Sequence, residues 1–124
     1  IGSSIFSGSR LKYGDPLYLD DVAVDFPQLK LLQAHSGRPF WYQKALTLAR
    51  IHENVYMEVS GLPPQNLLTY FPELERIAHK VIYGSDWPAV PTIKENIAAL
   101  QGLGIKEQAK RMILGENAAR LLKL

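Results

Sequence analysis

"VIYGSDWP", residues 81–88, is the stretch on which the fold turns. Val81, Ile82 and Tyr83 run into Gly84 and Ser85, and then come Asp86, Trp87 and Pro88. A short apolar run closed by Gly and Pro reads as a buried strand. In parallel α/β folds, ligands bind at the carboxyl ends of the strands. A buried strand that delivers Asp86 at its end therefore points to a site.

Outward from this strand, apolar runs and helical spacings alternate. Asp15 and Pro16 suit a helix start. Leu19, Val22, Ala23 and Phe26 follow at helical spacing until Pro27 stops them. "LKLLQA" (29–34) reads as a short buried strand, and "HSGRP" as a turn. Trp41, Ala45, Leu48 and Ala49 predict the next helix, which Asn54 breaks. "VYMEVS" (55–60) alternates and is rich in β-formers, so it predicts a strand. Leu67, Phe71, Leu74 and Ala78 predict a helix interrupted near Pro72. Thr92 and Glu95 form a capping-box pattern ahead of Ile93, Ile97 and Leu100. Two short helices, around Ile105–Leu114 and Glu116–Leu122, are expected at the end, with Gly115 between them.

This order predicts an α/β fold of parallel βα units with right-handed crossovers. A complete eight-stranded barrel takes about 250 residues, and this chain has 124. The expectation is one domain over 1–124, either the second half of a (β/α)8 TIM-type barrel or a small open sheet. No Gly-rich phosphate loop is present, which counts against the nucleotide-binding open sheets. The chain starts abruptly in what reads as a loop, as a piece of something longer would.

Hydrophobic residues at 47% and charged residues at 21% are globular values that argue against disorder. The net charge is +2 with both signs interspersed, so neither nucleic acid nor an anionic membrane surface is indicated. No apolar run approaches the roughly 20 residues of a membrane span. "IGSSIFSGSR" is too polar for a secretion signal. With no cysteine, disulfides and thiolate metal sites are excluded, and a cytoplasmic place is expected.

The predicted strand ends deliver His35, then Ser60 with Gly61, then Ser85 with Asp86. His and Asp both bind divalent metals and both move protons. His35 also reads as a hydrogen-bonded turn residue, and Asp86 as a side chain folded onto its own backbone. Arg38 suits a substrate anion or open solvent. Trp41, Trp87 and Tyr13 suit either a pocket wall or packing. Glu58 shares the parity of Ser60, and a buried, hydrogen-bonded structural role fits it best. His52 and His79 read as surface residues.

Taken together, "LLQAHSGRPFW", "NVYMEVSGLPP", "VIYGSDWP" and "ILGENAARLL" resemble the amidohydrolase-related family of metal-dependent hydrolases. More narrowly, they are similar to the branch that includes the aminocarboxymuconate-semialdehyde decarboxylase type. The resemblance covers nearly the whole chain but only the second half of the family's barrel. It implies that Asp86 is a metal ligand at the end of strand eight. It implies that His35, at the end of strand six, is a catalytic acid/base. Arg38 and Trp87 are then candidates for substrate contact. The implied cofactor is a divalent metal, zinc with manganese as the alternative.

The family's His-x-His pair has no counterpart here, because the histidines are His35, His52 and His79. A further ligand histidine would fall just before "IGSSIF". The resemblance thus implies a metal-dependent hydrolase acting on a small molecule, with non-oxidative decarboxylation as the alternative. A catalytically incomplete half-barrel serving binding or assembly is the reading from another class. The expected partner is the missing amino-terminal half or a second copy of the chain.

Overall fold

The computed structural model describes residues 6–124. Most of "IGSSIF" therefore lies outside the described residues. The chain forms two compact units, Ile1–Glu58 and Val59–Leu124.

In the first unit, the Asp15 Oδ1 accepts the Leu17 amide at 3.1 Å, and regular helix follows as α1, Tyr18–Asp25. Leu19 and Ala23, one turn apart, are its buried face. Phe26 lies beyond the helix and is exposed, so the expected apolar face stops one turn short. Strand β1 is Leu31–Gln33 and β2 is Val55–Glu58; they pair in parallel, Leu31 opposite Val55. Between them runs α2, Tyr42–Ile51, which buries Ala45, Leu46, Leu48 and Ala49. This is a βαβ unit, as the alternation predicts.

Two expectations need correction here. The first strand is not buried throughout: Leu29 and Leu32 are exposed, and Gln33 is the fully buried residue, donating from Nε2 to the Ala45 carbonyl at 2.9 Å. The second strand does not alternate. Val55, Tyr56 and Met57 are all buried, as in a parallel strand covered on both faces. Asn54 does more than end a helix. Its buried amide donates to the carbonyls of Ala23, Phe26 and Leu29, latching the α1–β1 connection.

The second unit opens with Val59, whose amide donates to the Ile82 carbonyl at 3.0 Å. Its core includes Leu67, Phe71, Leu74 and Leu100, all fully buried. Each such side chain contributes about 1.5–3 kcal/mol by leaving water. The helix expected through these positions is only α3, Leu67–Tyr70. Phe71 precedes Pro72, which disfavours helical backbone, and its φ of −133° and ψ of 80° end the turn. Strand β3 is Val81–Ile82.

Helix α4, Ile93–Gln101, starts without the expected capping box, since the Thr92 side chain makes no cap hydrogen bond. The two expected terminal helices are one helical run. Helix α5, Glu107–Arg111, passes through a π turn, Met112–Glu116, into α6, Asn117–Leu122. Gly115 sits inside that π turn rather than between two helices. Within this run the Ile113 carbonyl accepts the Tyr83 amide at 2.9 Å. The buried Asn117 amide donates to the Ala78 and Val81 carbonyls, both at 2.7 Å. The terminal helix is thereby bolted to both sides of the entry into β3.

Candidate functional site

β1 leads through Ala34 into a left-handed turn. His35, Ser36 and Gly37 have φ of 61°, 43° and 80°. Gly37 needs its missing side chain twice over, because a Cβ there would also meet the Ala45 Cβ and the Tyr42 amide nitrogen at 3.1 Å. For His35 and Ser36 this backbone costs about 1–3 kcal/mol each and persists only where the surroundings over-determine it. Those surroundings are visible. The His35 amide donates to Glu58 Oε2 at 3.3 Å, and the buried Ser36 hydroxyl donates to the Glu58 carbonyl at 2.9 Å. The Arg38 amide closes back on the His35 carbonyl, and the Trp41 amide on that of Gly37. Arg38 itself is half-buried.

At the end of β3 the backbone does the same thing. Asp86 has a φ of 59°. Its carbonyl accepts the Val90 amide at 2.9 Å, and Ser85 Oγ accepts the Trp87 amide at 3.3 Å. The half-buried Asp86 carboxylate makes no hydrogen bond or ion pair among the described residues. Asp86 is therefore not folded onto its own backbone. Ser85 takes that local role, which was one of the two readings open for the aspartate. Trp87 stands exposed beside it.

The structure thus places His35 two residues beyond the carboxyl end of β1 and Asp86 four residues beyond that of β3, in different units. Non-glycine residues with positive φ among the described residues are His35, Ser36, Asp86 and Lys123. Both residues singled out from the sequence are in that short set. Ser36 was read only as part of a turn. Its role depends on a carbonyl 22 residues away, which no local pattern announces.

The remaining candidates divide. His52 is not a surface residue: its Nε2 lies 2.7 Å from Asp20 Oδ1, with only 15% of the side chain exposed. His79 is exposed at the surface, and the partial desolvation of its ring, followed by the charges of Lys80 and Arg120, holds its pKa below the ordinary value. Tyr13 is exposed beneath the Lys12 ammonium. A cleft of about 340 Å³, lined by Glu75, Arg76, His79, Lys106 and Met112, opens at the amino end of β3. It contains none of the predicted site residues.

Among the described residues, no three His, Cys, Asp or Glu side chains are grouped so as to hold a metal ion. A catalytic zinc takes three protein ligands and an open position. These residues alone do not make up such a centre. No helix among them is long and apolar enough to cross a membrane.

Solved structures share this fold, one of them a TIM barrel. An uncharacterised TIM-barrel protein from Bordetella bronchiseptica is 28% identical, with a TM-score of 0.81 over 98% of this chain and 43% of its own. The 5-carboxyvanillate decarboxylase of Sphingomonas paucimobilis is 24% identical, with a TM-score of 0.64 over 87% of this chain and 38% of its own. A 2,6-dihydroxybenzoate decarboxylase, solved with 2,6-dihydroxybenzoate, is 20% identical, with a TM-score of 0.64 over 98% of this chain and 48% of its own. The chain thus spans less than half the length of each. No match was found among curated proteins. The amidohydrolase family matches residues 2–124. With parallel βα units, a barrel likeness over nearly its whole length and this family match, the chain belongs to the amidohydrolase family.

Proposed function

We propose that the protein carrying this chain is a metal-dependent hydrolase acting on a small molecule, with His35 as the group that moves a proton at the reacting centre. Asp86 supplies one ligand to a divalent cation, zinc in the first instance, whose other ligands come from outside the described residues. One observation carries this reading. His35 and Asp86 both sit at strand ends in left-handed backbone, and such strain clusters at functional sites. The unpartnered Asp86 carboxylate adds to it. An imidazole can both give and take a proton, which suits a ring held at a fixed point to that step. Arg38, three residues on, suits an anionic group of the substrate, and Trp87 a flat apolar face. The lack of cysteine supports a cytoplasmic place.

Decarboxylation is the second reading, within the branch resembled by the sequence motifs. The two decarboxylases that share the fold support it. Either reaction asks the same proton transfer of His35.

The test uses the full-length protein and a panel of small aromatic carboxylates and amides. His35→Asn is expected to lower turnover by about 10²–10⁴-fold. Asp86→Asn is expected to lower bound metal, measured by elemental analysis. Uptake of ¹⁸O from labelled water identifies hydrolysis, and release of CO₂ identifies decarboxylation. Unchanged metal content in Asp86→Asn would sink the ligand assignment.

A further inference from the structure

We propose that Glu58 is the positioning residue for His35, an inference that rests on the proton-transfer reading of His35. Glu58 is the last residue of β2, directly after the fully buried Val55 and Met57 and the buried Tyr56. It therefore projects from a platform that packing holds still. Two different groups of this one residue grip two consecutive residues of the left-handed turn. Its carboxylate takes the His35 amide, and its carbonyl takes the Ser36 hydroxyl.

The two grips differ in kind. The carbonyl grip survives any substitution at Glu58 and fails in Ser36→Ala. The carboxylate grip depends on the side chain alone. It holds the one residue whose ring must be placed, in a backbone conformation that His35 would otherwise leave. A charged acceptor makes a stronger hydrogen bond to an amide than a neutral one. A catalytic group must be held within about 0.5 Å of its working geometry by neighbours that are themselves locked. Glu58 meets that description without touching substrate.

The first measurement needs no substrate. The intact chain and its Glu58→Ala, Glu58→Gln and Ser36→Ala variants are treated with diethyl pyrocarbonate. Ethoxyformylation of His35 is followed by mass spectrometry, with the exposed His79 as internal reference. In parallel, ¹⁵N–¹H spectra report the His35 amide and the amides of Val55, Tyr56 and Met57. Glu58→Ala is expected to move the His35 amide resonance and change the His35-to-His79 rate ratio several-fold. The β2 amides should stay in place. Glu58→Gln keeps an acceptor and should restore most of both readouts.

A His35 ratio and amide unmoved by Glu58→Ala, with β2 intact, overturns the proposal. So does equal loss in the Ala and Gln variants. In full-length protein, Glu58→Ala should lower kcat with little change in KM on whichever compound reports the His35→Asn loss, with recovery in Glu58→Gln. If His35→Asn is silent while the chemical and spectroscopic link to Glu58 holds, the reading of His35 fails and the link stands.

Discussion

Single side chains show where sequence reading stops. The places of His35 and Asp86 beyond strands were legible because each follows an apolar run beside Gly or Ser, a pattern confined to a few residues. The two buried asparagines were not. Asn54 read as a helix breaker, and Asn117 read only as part of a motif. In each unit such an amide clamps main-chain carbonyls far away in sequence, 25 to 31 residues off for Asn54 and 36 to 39 for Asn117. Periodicity carries no trace of those partners. Asn117 gives the sharper test, because it is fully buried and both bonds are 2.7 Å. Replacing it by Ala leaves two carbonyls short of a donor, at about 1–3 kcal/mol for each buried group left unsatisfied. Asn117→Asp should cost more, since a carboxylate would face two carbonyl oxygens. Urea unfolding of the three proteins checks both the loss and the order.

Elements were legible in kind and order, less so in extent. Proline and glycine explain most of the difference. Pro72 ends α3 through its effect on Phe71, which a spacing of apolar residues cannot register. Gly115 misled in the other direction: as a break between helices it would sit in left-handed backbone. In the structure it lies within the π turn, without a positive φ, and a Cβ there would meet nothing within 4 Å. A π turn carries a wider i→i+5 bond, here from the Asn117 amide to the Met112 carbonyl. The same turn presents the Ile113 carbonyl to the Tyr83 amide. Gly115→Ala then removes backbone freedom from the unfolded chain without strain in the folded one, and should stabilise by about 0.4–1 kcal/mol. A glycine break would give the opposite sign. Thermal melts of the wild type and Gly115→Ala therefore separate the two structures for this segment.

At the scale of the whole chain, the parallel α/β class followed from the alternation of periods, and the family from four motifs read together. What the alternation could not supply is the tie each unit makes between its own distant parts. Two ion-paired carboxylates are among those ties, one per unit. Asp15 takes the Lys44 ammonium at 2.7 Å, and that hydrogen bond, more than any other contact, holds its pKa below the ordinary value. Glu75 is also held low, but chiefly by the Lys106 backbone amide at 2.9 Å, with the Lys106 charge secondary. Both folded pKa values lie below the unfolded ones. The unfolded chain therefore binds more protons as the pH falls, and the stabilisation is complete only above the ordinary carboxylate range. It is lost as the pH drops through the folded values. The Asp15 pair is partly buried but still reached by solvent, and its share is about 1 kcal/mol at most. The two lysines should nevertheless behave differently. Lys44→Met removes the main cause at Asp15 and should flatten that part of the acid dependence. Lys106→Met leaves its backbone amide on Glu75 and should retain most of it. Urea midpoints of both variants, followed from neutral pH down through the carboxylate range, give the comparison; equal flattening would mean that side-chain charge, not the amide, holds Glu75.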